Sequence, residues 1–227
     1  MLTRLIFAVA AVAFGCLLPG FCQTPQGWYV RAISNYRGSQ TIYVTPALAH
    51  LISQDLCTIC RANGTVTVYN PATKLYMDIP HDKFIAKWGL KVDRAHMTIT
   101  KGETSTRWGL KLTKYTIVGK DSHGSPVYTD TVWTTNDIPL ALNIQDVCAA
   151  VLGIPNGIGI ALEMTRTYPA ENLTNTFLNT VECRRAAFPQ QYLQIPPGYK
   201  PTQDEGVLFM GNKGGAAAAA SPRAVHR

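Results

Sequence analysis

The sequence is short of nearly everything that announces chemistry. It has no Gly-rich phosphate loop and no Gly-x-Ser-x-Gly elbow, so neither P-loop nucleotide binding nor an esterase-type nucleophile is written into it. Gly153 to Gly159 is rich in glycine but leads into a strand pattern, which removes anion binding at a helix N-terminus. Asp and Glu are scattered, with no pair that spacing puts on one face. His50, His81, His96 and His123 are dispersed, none at ligand spacing from another, and read as ordinary surface residues. No histidine follows Cys60, so covalent haem attachment at Cys57-Thr58-Ile59-Cys60 is excluded. No metal, no cofactor and no catalytic residue are expected.

Charge is scarce too, at 15% of residues, and a basic stripe is missing. The formal net charge of +7 overstates the basicity of the folded part. Four of the 21 basic residues, Arg4, Lys213, Arg223 and Arg227, fall in terminal appendages, as do Asp204 and Glu205 of the 14 acidic ones, which leaves 17 basic against 12 acidic. Arg184-Arg185 is the one adjacent basic pair in what remains, so nucleic acid is not an expected partner. Beyond the N-terminus no run is apolar and long enough to cross a bilayer.

What is present begins with those appendages. Met1 to Arg4 carry one positive charge, Leu5 to Leu18 are almost wholly apolar, and Pro19-Gly20-Phe21-Cys22 closes the run. That is the layout of a secretory signal peptide spanning residues 1–22. At that length the run falls short of the roughly 20 residues a membrane-spanning helix needs. Ala13-Phe14-Gly15-Cys16 gives a lesser alternative, a lipidated N-terminus at Cys16. From about residue 204 the chain runs into "GNKGGAAAAASPRAVHR", a low-complexity stretch read as a disordered tail over 204–227. One domain over 23–203 lies between the two, within the size of a single core.

This central region alternates with period two rather than helical period. "GTVTVYNPATKLYMDIP", residues 64–80, reads as two strands about an Asn-Pro-Ala-Thr corner. Strands are also expected at 28–34, 40–44, 92–101, 109–118 and 127–135, with a bulge near Thr113-Lys114 and a turn at Asp121 to Gly124. In "GIGIALEMTRTY", Ile158, Ile160, Leu162 and Met164 share one face of a strand. The next run puts Leu173, Phe177, Val181 and Cys183 on one parity, the second arm of an antiparallel hairpin. A helix is predicted from Asp137 to Leu152, with Ile144, Val147, Cys148 and Val151 on its apolar face and Gly153 and Pro155 as its stop. Residues 45–64 fit either a helix or two strands, 47–52 and 56–62, about a turn at Ser53-Gln54-Asp55.

Setting Cys16 and Cys22 aside leaves Cys57, Cys60, Cys148 and Cys183, an even set that suits disulfides in an exported chain. Cys148 on the helix face and Cys183 on a strand's apolar parity are candidates for one bridge. Cys57 and Cys60 would make a redox pair only at a helix N-terminus, where a thiol is acidified. On a strand they would point to opposite faces.

The order of these pieces is similar to that of exported bacterial domains of unknown function with a fold like the outer-membrane lipoprotein carriers (LolA-like). The residues that carry the resemblance are Val68 to Tyr76, Gly109 to Tyr115, Val132 to Thr135 and Pro197 to Tyr199, across roughly residues 28–201. It implies a mainly β (α+β) fold: a strongly curved antiparallel sheet or half-open barrel with one or two helices on its concave side. It also favours the two-strand reading of 46–62. The function expected from it is that of a non-enzymatic envelope protein, periplasmic if bacterial, with at most peripheral or lipid-anchored membrane association. Its concave face would receive a lipid or an acylated protein. Ile158, Ile160, Leu162 and Met164 with Ile144, Val147 and Val151 would line it. The competing expectation is a thiol-redox protein using Cys57 and Cys60.

Overall fold

A computed structural model describes residues 25–35, 38–90 and 92–210 of the chain. The expected signal peptide at 1–22 and the tail beyond 210 lie outside the described residues. Six strands follow one another in a meander: β1 (Gln26–Ser34), β2 (Gly38–Thr45), β3 (Leu48–Ile52), β4 (Cys57–Arg61), β5 (Thr65–Asn70) and β6 (Leu75–Pro80). Helix α1 (His81–Trp88) leads to a second meander of β7 (Met97–Arg107), β8 (Leu110–Lys120) and β9 (Pro126–Thr135). Then come α2 (Leu142–Leu152), β10 (Ile160–Tyr168), β11 (Leu173–Ala187), β12 (Lys200–Pro201) and α3 (Glu205–Met210). All twelve strands form one open sheet in the order β12-β6-β5-β4-β3-β2-β1-β11-β10-β9-β8-β7. Every pairing is antiparallel except the short β12, which runs parallel to β6. The fold is mainly β, and the β1–β11 pair joins its two meanders.

The strand reading of 46–62 holds. Leu48 faces Arg61 and Leu51 faces Thr58 across the β3–β4 pair. Between the strands, the Ser53 hydroxyl donates to the Leu56 carbonyl and accepts from the Leu56 N–H, which fixes the turn. The apolar stripe suggesting a helix is two half-buried strands read in series.

The corner at Asn70 is held by its own side chain. Asn70 Oδ1 accepts from Ala72 N–H at 2.8 Å, an Asx turn, and Lys74 takes the left-handed conformation at φ 57°. Helix α2 ends as predicted, at Gly153 in the left-handed region with φ 66°. It begins later than predicted, at Leu142 rather than Asp137. Pro139 disfavours the α conformation at the residue before it, and Ile138 reaches the core from a bend ahead of the helix instead. Helix α1 was not expected. The Leu90 N–H donates to the α2 carbonyl of Ala150 at 2.8 Å, and Gly89 packs so close to Ala150 that a side chain there would crowd it.

Four further expectations are corrected. The stretch from 204 onward does not start as a disordered tail: Glu205–Met210 form α3, and Leu208 is fully buried. Asn70 Nδ2 and the Thr73 hydroxyl both donate to the Leu208 carbonyl, tying α3 to the β5–β6 corner. His50 is no surface residue: it is 1% exposed, wedged between Tyr69 and the backbone of Tyr192. The parity of β11 is broken twice, because Phe177 bulges against β10 and Val181 against β1. Leu178 and Thr180 are therefore buried while Val181 is exposed. The irregularity expected near Thr113-Lys114 sits on the partner strand, where β7 bulges at Gly102-Glu103 opposite Lys114.

Candidate functional site

A cavity of about 510 Å³ lies between helices α1 and α2 and strands β1 to β4, β10 and β11. Its walls are mostly apolar. Val30, Ile42 and Val44 come from β1 and β2, and Phe84 and Trp88 come from α1, where their rings meet edge to face at 4.9 Å. Alternation aims the strand residues, and the i, i+4 spacing of Phe84 and Trp88 puts both rings on one face of α1.

Four of the seven residues predicted to line the interior border this cavity: Val147 and Val151 of α2, and Ile160 and Leu162 of β10. The other three, Ile144, Ile158 and Met164, are buried in hydrophobic clusters outside its lining. Ala161 joins the lining although it follows Ile160 directly. The reason is a bulge at Leu162 against β9, which turns consecutive side chains to the same side.

One end of the cavity is polar, and only part of this was visible in the sequence. Ser34, Gln40, Arg166 and Tyr168 border it there. Arg166 continues the parity of Ile160, Leu162 and Met164, so a cation on an apolar face was the available signal. Its partner could not be read. Asp130 of β9, fully buried, accepts from Arg166 Nε at 2.7 Å and from Nη2 at 2.8 Å. The guanidinium also lies 4.1 Å from the Tyr128 ring centre and 4.9 Å from that of Phe177. Burial acts to lower the Arg166 pKa, and the bonds and charge of Asp130 outweigh it, so the guanidinium stays charged.

The four cysteines among the described residues, Cys57, Cys60, Cys148 and Cys183, are free thiols. The expected Cys148–Cys183 bridge is not formed. Cys148 packs with the cluster that holds Cys60 and Phe84, while Cys183 packs among Trp28, Val30 and Leu162. Nor do Cys57 and Cys60 form a redox couple. On strand β4 they take opposite faces, Cys57 beside Ile59 and Tyr69 and Cys60 toward α2, and both are buried. Burial pushes the Cys60 thiol far above its usual value, the reverse of what a nucleophilic thiol needs. Cys60 and Cys148 instead border the cavity. Among the described residues, no group of three or more His, Cys, Asp or Glu is placed to hold a metal ion.

No family model matches the chain, and no curated protein does. Among solved structures it is similar to the lipoprotein LppX of Mycobacterium tuberculosis, at 12% identity and a TM-score of 0.34, over 70% of this chain and 85% of that one. A DUF1329 family protein of Desulfovibrio piger is similar at 13% identity and a TM-score of 0.33, over 77% of this chain and 91% of that one. A LolA superfamily protein of Nitrosomonas europaea is similar at 6% identity and a TM-score of 0.28, over 75% and 89%.

Proposed function

We propose that this protein is a non-enzymatic, exported envelope protein that holds an acyl chain, of a lipid or an acylated partner, in the cavity beneath α1 and α2. The observation that carries this reading is the cavity itself: about 510 Å³ of space with mostly apolar walls. A methylene is close in size to a water molecule, whose share of liquid volume is about 30 Å³, so a chain of roughly 16 carbons fits. Each buried methylene contributes about 0.8 kcal/mol before the cost of ordering the chain.

The strongly curved sheet of the carrier resemblance belongs to this reading. It is supported by α2, which touches both β4 and β10, five strands apart in the sheet order. At about 4.8 Å per strand a flat sheet would hold these some 24 Å apart. Leu110 of β8 and Val44 of β2 likewise share one buried cluster across the opening.

Native mass spectrometry of the protein purified from its own envelope tests the reading. Acyl-bearing species should leave with the folded protein and be lost on denaturation. The Val151→Trp variant, which fills the cavity from α2, should carry at least about tenfold less. Protein that emerges empty from its envelope, with wild type and variant alike, would sink the proposal.

A further inference from the structure

The size of the cavity and the way its roof is tied down say how many acyl chains it suits. The roof is α1 and α2, and each is fastened to the strands. At the start of α1 the His81 N–H donates to the Gly64 carbonyl, in the β4–β5 turn, at 2.9 Å. Just ahead of α2 the Ala141 N–H donates to the Pro46 carbonyl, in the β2–β3 turn, at 3.2 Å. In the first turn of α2, Asn143 Nδ2 donates to the Arg61 carbonyl of β4 at 3.0 Å. Beyond α2 the Ile158 carbonyl accepts from the Thr134 hydroxyl of β9. The C-terminal ends of the two helices hold each other through the 2.8 Å bond from the Leu90 N–H to the Ala150 carbonyl. Each bond is modest alone, but together they pin the roof at both ends. The strands beneath it from β10 through β11 and β1 to β4 form an unbroken series of ladders.

A tied roof limits the contents. At about 30 Å³ for each methylene, 510 Å³ takes roughly 16 of them, the length of one long acyl chain. A second chain of that length needs as much space again, and the roof cannot lift so far while its ties hold. A two-chain lipid that gave one chain to the cavity would leave the other in water. Every methylene left there is unfavourable, so such a lipid keeps both chains in its bilayer. A one-chain compound has no such remainder. We infer that the cavity holds a single acyl chain of about 16 carbons, and that its ligands are singly acylated compounds rather than diacyl lipids. This rests on the acyl-binding reading above and narrows it to a ligand class.

The test is a capacity measurement on the delipidated full chain. Native mass spectrometry with rising 1-monopalmitoylglycerol should saturate at one molecule per protein, and an N-palmitoylated peptide should do the same. Whichever of the two binds better identifies a lipid or an acylated protein as the source. Offered in the same vesicles, 1,2-dipalmitoylglycerol should be bound at least about tenfold less than the monoacyl glyceride. Chain length gives a second reading. In competition below the micellar concentration, the peptide acylated with chains of about 10 to about 20 carbons should gain about fourfold in affinity per methylene and level off at about 16 carbons. Two chains per protein at saturation, a diacyl glyceride bound as tightly as the monoacyl one, or affinity still rising at the longest chain would overturn the inference and preserve the acyl reading. If no chain of any length binds, both fall.

Discussion

His50 and Tyr69 meet through a 2.8 Å hydrogen bond between imidazole Nε2 and the phenol, deep under the segment that carries Tyr192. The other ring nitrogen, Nδ1, lies 2.7 Å from the Tyr192 carbonyl, which can only accept. Nδ1 therefore carries the proton and Nε2 accepts from the Tyr69 hydroxyl. Burial raises the Tyr69 pKa, which keeps that hydroxyl protonated as the donor. The imidazole is neutral in the folded state, with both nitrogens satisfied.

A pH dependence follows from this arrangement. Burial holds the His50 pKa below its usual 6.5. Between the folded and unfolded values the unfolded chain binds the extra proton, so stability rises with pH across that window. The stabilisation is complete above about 6.5 and is lost as pH falls toward the folded value. Urea unfolding of the wild type should show a midpoint that drops between pH 7.5 and 5, and His50→Leu should show a shallower drop. Equal slopes in the two proteins would refute the assignment.

The Asp130–Arg166 pair predicts an asymmetry. Asp130→Ala leaves a buried guanidinium without a counter-ion and should destabilise by about 3–5 kcal/mol. The double replacement Asp130→Leu/Arg166→Leu removes both charges and should cost much less than the single variant. Chemical denaturation of the three proteins checks this. A double variant that is less stable than Asp130→Ala would show that the pair is worth more than a hydrophobic replacement.

Leu208 gives a prediction about where the domain ends. It is fully buried against the β5–β6 corner, so Leu208→Ala should cost about 2–5 kcal/mol. Truncation after Met210 should leave the thermal midpoint unchanged, whereas truncation after Gln203 should lower it. Equal midpoints for the two truncations would mean that α3 adds nothing.

These elements differ in how far they could be read. The β5–β6 hairpin was legible because strand alternation and turn chemistry agree there: Val66 and Val68 are buried, and Asn70 closes its own Asx turn. The end of α2 was legible for the same reason, since Gly153 supplies the left-handed cap. Helix α1 escaped notice because its eight residues are few for a periodic signal, and much of its support is the contact with α2. The faces of β10 and β11 were misread where Leu162, Phe177 and Val181 bulge, because a bulge shifts parity without any sequence mark. In the cavity, Val147, Val151, Ile160 and Leu162 followed from apolar periodicity. Gln40 did not, since a lone amide inside a strand carries no signal until its neighbours are known.

The cavity also sorts the thiols. Cys60 and Cys148 border it, whereas Cys183 is buried in the cluster around Trp28 and Val30. Burial pushes the Cys148 and Cys183 thiols up to about 11, and Cys60 higher still, so at pH 8 very little thiolate is present at any of the three. Alkylation by iodoacetamide in the folded protein should be slow at all of them and fast once the chain is unfolded in urea. A bound acyl chain then separates them by access: 1-monopalmitoylglycerol, or the palmitoylated peptide, should slow modification of Cys60 and Cys148 further and leave Cys183 at its original rate. Peptide mass mapping after timed quenching reads the three sites in one experiment. Protection of all three to the same extent would indicate general stiffening of the fold rather than occupancy of the cavity. Protection of none by a ligand shown to bind would place that ligand elsewhere on the molecule.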